Sequence, residues 1–390
     1  MSRLRFLTAG ESHGPVVSAI LEGAPAGLPL SAADIDPDLT RRQTGYGSGG
    51  RMKIEHDAVE ILGGVMAGIT TGAPIALQVR NLDHAKWKGK AIPPMTAPRP
   101  GHADLTATIK YGYTDLRFAL ERASARETTM RVAVGAVCRK LLGEFGIRVG
   151  SYVTEIGGVG ADLSSMEIEE RMQRAEESEV RCPDSAAADA MTSRIREAME
   201  AKDTVGGVFE AAALGVPPGL GSHVHWDRRL GARLAAAVMS IHAIKGVEIG
   251  EAFANAQRAG TQVHDEIFRD GEALTRRTDR AGGLEGGITT GQPLIIRAAM
   301  KPISTTLNPL QTVDLANGQP AATRYERSDF CAVPRAAVVG EAMVCLVLAD
   351  ALLEKLGGDS LREMKERFAT LRGATLDDLN LSNEATVFWE

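Results

Sequence analysis

Apolar residues recur at Met130, Val134, Val137 and Leu141, the three-and-four spacing of a single helix face. The run leading into them, Glu121-Arg122-Ala123-Ser124-Ala125-Arg126-Glu127, sets Ser124 and Glu127 at the spacing of a capping box. Together they predict a helix beginning at Ser124. Upstream, Leu4–Ala9 reads as a first strand that ends in Gly10-Glu11-Ser12-His13-Gly14. Ser31 with Asp34 opens a helix carrying Arg41 and Arg42 near its end. Strands are expected around Val59–Leu62, Pro74–Val79, Ile147–Ile156 and Val205–Leu214. Lys86–Pro100 carries Pro93, Pro94, Pro98 and Pro100 and reads as a long loop, the kind that usually has a function. Arg229–Ile241 and the strongly apolar Ala336–Leu356 read as further helices.

Residues 160–202 differ in texture. Met166–Glu179 and Asp184–Lys202 are charged helical patterns, read as a peripheral excursion and not as a separate domain. An internal echo runs through the remainder. Gly63-Gly64-Val65-Met66-Ala67-Gly68-Ile69-Thr70-Thr71-Gly72-Ala73-Pro74 matches Gly282-Gly283-Leu284-Glu285-Gly286-Gly287-Ile288-Thr289-Thr290-Gly291-Gln292-Pro293 at eight of twelve positions, in register. Gly23-Ala24-Pro25-Ala26-Gly27-Leu28 is echoed by Gly215-Val216-Pro217-Pro218-Gly219-Leu220 in the same order. Two ordered echoes predict an internally duplicated fold. Half one would cover about 1–158 and half two about 203–357, followed by a polar appendage over 358–390. A site shared between the halves is the natural expectation.

Composition changes this picture little. The 390 residues are 44% hydrophobic and 24% charged, as in ordinary globular proteins. The net charge of −6 argues against general nucleic-acid binding, while local basic clusters remain able to hold small anions. Cys138, Cys182, Cys331 and Cys345 form no C-x-x-C pair, so reduced, buried thiols and a cytoplasmic protein are expected. The apolar run after Met1 is too short for a signal peptide, and no uninterrupted apolar stretch suggests a membrane span.

The candidate chemistry is cationic. Arg41, Arg42, Arg51, Arg99, Arg122, Arg126 and Arg327 lie in glycine-rich or helix-end settings, and arginine grips phosphate and carboxylate through two hydrogen bonds. Arg122 and Arg126 sit where a helix N-terminus already favours an anion. Several such groups around one pocket would mean a small substrate with more than one negative charge. His13 follows a strand, and His102 stands in Arg99-Pro100-Gly101-His102-Ala103-Asp104, a loop suited to function. His223-x-His225 without a third ligand is too weak a pattern to assign a metal. Lys301-Pro302-Ile303-Ser304-Thr305-Thr306 offers one cation and three hydroxyls to a phosphate or to a polar ring edge. No G-x-G-x-x-G sits in a βαβ context, which disfavours an ordinary dinucleotide enzyme.

These motifs together resemble the chorismate synthase family. The blocks from Gly10-Glu11-Ser12-His13-Gly14 to Pro25, from Glu121 to Val137, and from Arg327-Ser328-Asp329 to Met343 are similar to its signatures, with Arg99–Asp104 and Lys301-Pro302 in support. The resemblance implies an α+β fold, a layered β-α-β sandwich, assembled as a homotetramer. It implies conversion of 5-enolpyruvylshikimate 3-phosphate to chorismate by 1,4-anti elimination of phosphate, with reduced FMN as cofactor and no net redox change. By the same resemblance, His102 protonates the departing phosphate, His13 protonates the flavin, and Asp329 helps remove the substrate proton. Arg42, Arg51, Arg126, Arg327 and Ser124 would contact substrate. Arg122, Ala123, Ser124, His242, Ala243, Gly286, Lys301, Pro302, Ile303, Ser304, Thr305 and Arg327 would contact flavin.

The chain departs from the family pattern at Ser48, where an arginine is usual, at His242 in place of asparagine, and at Phe330 in place of a smaller residue. Some family members carry an NAD(P)H-dependent flavin reductase. The length here leaves no room for one, so an external flavin reductant is expected. The rival readings are a flavin oxidoreductase with net hydride transfer and a non-catalytic anion binder.

Overall fold

The computed structural model describes residues 4–49, 56–379 and 381–389. Four strands form one antiparallel sheet: β1 (Arg5–Ala9), β2 (Val16–Glu22), β3 (Val59–Gly63) and β4 (Ile75–Arg80), in the order β1-β2-β4-β3. Alternation decides its faces. Ile75, Leu77 and Val79 of β4 are buried, whereas Leu7 and Ile20, paired across β1 and β2, face outward. The second sheet contains β5 (Arg148–Ile156), β6 (Val159–Gly160), β7 (Gly207–Leu214), β8 (Ile244–Ile249) and β9 (Leu294–Met300), in the order β8-β9-β7-β5-β6. Without the two-residue edge strand β6, it reads β5-β7-β9-β8. That is the first sheet's order, strand for strand.

The main helices are α1 (Asp36–Gln43), α2 (Asp104–Tyr111), α3 (Arg117–Ala123), α4 (Thr128–Gly143), α5 (Ile168–Glu176), α6 (Ser185–Glu200), α7 (Leu230–Met239) and α8 (Val333–Leu356). α4 packs on β2 and β4, α8 packs on β5 and β7, and the two helices pack along each other. Gly135 permits the approach, since a Cβ there would lie 2.4 Å from the Cβ of Ala342. By length and apolarity α8 could cross a membrane, but 94% of its most apolar window is buried within the protein, as befits a central helix.

The echoed segments fold alike, bond for bond. Each is a two-residue hairpin, Val65–Met66 with Ile69–Thr70 and Leu284–Glu285 with Ile288–Thr289. Thr70 Oγ1 donates to Pro25 O (2.6 Å) and accepts from Leu28 N (2.9 Å), and Thr289 Oγ1 does the same with Pro217 O (2.7 Å) and Leu220 N (2.8 Å). Gly64 and Gly283 both have positive φ, 84° and 79°. A Cβ would meet Pro74 O at 2.6 Å in one and Pro293 O at 2.5 Å in the other. Only glycine fits such a position without strain.

Three expectations need correction. The capping box does not form. Ser124 Oγ accepts from Arg126 N (3.3 Å), while the Glu127 carboxylate turns away to Thr8 Oγ1 (2.7 Å) and Arg131 (2.8 Å), and a 3-10 turn precedes α4. The excursion over 160–202 is not merely peripheral, because α6 sends Ala187, Met191, Ile195 and Ala198, one helical stripe, into the main core. The C-terminal appendage is likewise anchored, since a helix at Leu361–Phe368 buries Leu361 and Met364.

Candidate active site

The connections leaving the sheets converge on a cavity of about 390 Å³. The β1–β2 connection contributes Ser12 and His13. The one between β4 and α4 contributes Trp87, Arg99, His102, Ala123, Ser124 and Arg126, and the one between β9 and α8 contributes Lys301, Ile303, Ser304, Thr305, Arg327 and Asp329. Arg42 from α1, His242 and Ala243 after α7, and Arg335 on α8 complete the polar wall; Leu120, Ile241, Met300 and Val339 supply apolar surface. A concave site with a few converging polar groups suits a small molecule.

Two of its arginines are held from behind. Asp57, buried, faces Arg126 Nη1 at 2.5 Å and Arg42 Nη1 at 3.4 Å. Arg126 also donates to Asn81 Oδ1 (2.6 Å) and Arg80 O (3.1 Å), and Arg42 to Thr128 Oγ1 (3.0 Å) and Ala125 O (2.9 Å). Burial pushes the Arg42 guanidinium down to about 10, against the pull of Asp57. One carboxylate for two fixed guanidiniums leaves net positive charge at this wall.

His13 and His102 are each paired with a carboxylate at Nδ1. His13 Nδ1 lies 2.8 Å from Glu121 Oε1, and Trp87 packs against its ring with centroids 4.4 Å apart. His102 Nδ1 lies 2.5 Å from Asp104 Oδ1. Asp104 also accepts from Arg99 Nε (2.8 Å) and Nη2 (3.1 Å). Burial raises the Asp104 carboxyl, but the bonds from His102 and Arg99 outweigh it and hold it well below the usual carboxylate range. Ser12 Oγ and Ser124 Oγ are 3.0 Å apart at the cavity edge.

Asp329 is held at both oxygens, by Gly49 N at 2.8 Å and Arg335 Nη1 at 2.6 Å. Arg327 is paired with buried Asp83 at 2.9 Å. Lys301 has no carboxylate partner among the described residues; its Nζ reaches only Pro302 O at 3.4 Å. Burial and the neighbouring Lys245 push its ammonium down. Lys301 is therefore the cation most open to an incoming anion. The His242 Nδ1 is buried without a hydrogen-bond partner among the described residues, and Ala243 beside it has φ 65°, a left-handed conformation unusual for alanine.

Some expected residues lie elsewhere. Arg122 ends α3 and turns back to Thr8 O (2.9 Å) and Thr8 Oγ1 (2.6 Å), off the cavity wall. The extended backbone of Ser124 (ψ 142°) separates α3 from the turn bearing Arg126, so the two arginines do not share one helix end. Gly286 occupies the turn of the second hairpin, near His223, and Pro302 is exposed between Lys301 and Ile303; neither lines this cavity. Arg51 lies outside the described residues. Of the departures, only His242 reaches the wall; Ser48 Oγ bonds Gly45 O and Phe330 N bonds Gly47 O. Sequence reasoning passed over Glu121, Arg335 and Trp87. Glu121 alone had a signal, standing three residues ahead of Ser124 in the run that leads into α4.

Known proteins match this chain along nearly its whole length. The family model described as chorismate synthase covers residues 4–353. Chorismate synthase of Rubrobacter xylanophilus is 55% identical over 374 residues, covering 94% of this chain and 96% of its own. That of Aquifex aeolicus is 54% identical over 383 residues, with the same coverage. A crystal structure of chorismate synthase superposes with a TM-score of 0.77 at 47% identity, covering 94% of this chain and 96% of that one. The chain belongs to the chorismate synthase family.

Proposed function

We propose that the cavity converts 5-enolpyruvylshikimate 3-phosphate to chorismate by 1,4-anti elimination of phosphate with reduced FMN bound. The observation that carries this reading is the lining itself: Arg42, Arg99, Arg126, Arg327, Arg335 and Lys301 surround two histidines and a fixed carboxylate. A substrate with two carboxylates and a phosphate matches such a set. Arg42, Arg126 and Arg327 clamp the anionic groups, with Ser124 beside them. His102 gives a proton to the leaving phosphate oxygen, and Asp329 takes up the ring proton. His13 holds a proton for the flavin.

The residues present fit a flavin. Lys301, Ser304 and Thr305 offer a cation and hydroxyls to its phosphate, while Ala123, Ala243 and Ile303 offer surface to its ring. The Nδ1 of His242, buried with no hydrogen-bond partner among the described residues, is open to a ligand group or an ordered water. When bound, reduced flavin lends electron density to the reaction and recovers it, which the side chains themselves cannot do. The finer architecture proposed is a pseudo-duplicated β-α-β sandwich, supported by the shared strand order, and the expected assembly is a homotetramer in the cytoplasm served by a separate flavin reductant. Incubation with substrate and reduced FMN is expected to release phosphate and chorismate in equal amounts. Tight binding with no phosphate released would contradict the assignment.

A further inference from the structure

Asn81 holds the turn that carries His13 through Glu11 O (3.1 Å) and Gly14 O (2.8 Å), and Glu121, outside the cavity lining, holds Ser12 and His13 themselves. Glu121, on α3, accepts the Ser12 N–H on its backbone carbonyl (3.1 Å) and the His13 N–H on Oε2 (2.8 Å). Its Oε1 stands 2.8 Å from His13 Nδ1. The two side chains are 14% and 15% exposed, so the contact is largely shielded from water. Burial raises the Glu121 carboxyl, but its bonds from His13 prevail and hold it below its ordinary value. An ionised carboxylate only accepts, so the Nδ1 facing it must carry a proton. The opposite ring edge, Nε2, is the one left for the cavity.

No other described group competes for that nitrogen. Trp87 covers the His13 ring, His84 Nδ1 meets only the His13 carbonyl (2.9 Å), and Arg117 on α3 acts through Glu121. His102 is arranged differently: its carboxylate, Asp104, is shared with Arg99, whose Nη2 lies 3.1 Å from His102 Nδ1. Glu121 serves His13 without such a competitor.

We propose that Glu121 is a positioning residue that holds His13 in the Nδ1–H tautomer and presents Nε2 to the cavity. Its consequence for turnover rests on the proposed role of His13 in the reaction; the tautomer does not. The test is nitrogen-15 NMR of histidine-labelled protein with the imidazole neutral, the His13 signal assigned by its loss in His13→Gln, together with kcat and KM for Glu121→Gln. Glutamine keeps the shape and an acceptor for the His13 N–H while removing the charge. The expected result is a single Nδ1–H form in the wild type, a mixture of tautomers in the variant, and kcat roughly ten- to a hundred-fold lower with KM changed by less than about two-fold. A wild-type His13 in the Nε2–H form overturns the proposal even if the variant fails to fold. So does an unchanged tautomer in the variant, whatever its rate, or a scrambled tautomer with full turnover. A wild type that releases no phosphate yet shows the Nδ1–H form would refute the reaction and leave the positioning intact.

Discussion

The echoed hairpins and the three connections that wall the cavity are built on opposite terms. Gly63–Pro74 and Gly282–Pro293 repeat each other to the level of single hydrogen bonds, and neither places a residue on the cavity wall. The β1–β2 connection, the segment between β4 and α4, and the segment between β9 and α8 bear no such likeness, yet they supply His13, His102, Lys301 and Asp329. In the hairpins the Thr70 and Thr289 hydroxyls are satisfied by backbone of the same half. In the cavity Lys301 and His242 are left wanting a partner. Repeated structure serves folding, and unrepeated structure serves the ligand.

The sharpest break in that contrast is His102→Ala, expected to lower turnover about 10²- to 10⁴-fold while leaving the melting temperature within about 2 °C. Loss of fold instead would show that the connection is structural. The mirror experiment is Gly64→Ala beside Gly283→Ala. Both force a Cβ into a carbonyl oxygen at positive φ, and urea unfolding should show each losing about 2–3 kcal/mol, nearly equally. Markedly unequal losses would deny the equivalence of the two hairpins.

Lys301→Gln should weaken binding of the anionic ligand about ten-fold, read by calorimetry. Because burial and Lys245 lower the Lys301 ammonium, wild-type affinity should fall as pH rises sooner than an ordinary lysine would allow. The variant should lose that alkaline decline. The smallest effect sits beside the second hairpin, where Asp279 accepts from Gly283 N (2.7 Å) and leaves Oδ2 buried without a hydrogen-bond partner among the described residues. In the first half the register puts Glu60 there, half-buried and bonded to Arg80 and Gln78. Burial pushes the Asp279 carboxyl up to about 7. A raised native value means a stabilising contribution present at low pH and lost as pH rises through about 7. Asp279→Asn imitates the protonated form, so it should raise the melting temperature by a few degrees at pH 8, by clearly less at pH 5, and hardly at all below the ordinary carboxylate range.

Much of this arrangement was legible in the chain. Strands and amphipathic helices follow local periodicity, and the duplicated glycines announced the hairpins because a left-handed turn with no space for Cβ admits few sequences. Of the arginines singled out in the sequence, Arg42, Arg99, Arg126 and Arg327 do line one cavity. What local pattern could not supply was direction. Arg122 and Arg126 stand four residues apart, the spacing of one helix face, but the extended Ser124 between them sends one to β1 and the other to Asp57. Glu127 fits a capping box, yet a threonine over a hundred positions away takes its carboxylate. The helices α2 and α3 lie just after the proline-rich loop, in a proline-free stretch to which the sequence reading assigned no element. Asp57 and Arg335 became visible only when long-range packing placed them behind the groups they hold.

The central claim is that the connections form one site for elimination without net redox change. Its most direct test is anaerobic turnover of 5-enolpyruvylshikimate 3-phosphate with photoreduced FMN, following phosphate, chorismate and flavin oxidation state together. Equal phosphate and chorismate, over many turnovers, with the flavin still reduced at the end, is the predicted result. Flavin oxidised one-for-one with product would contradict it and identify a net redox enzyme instead.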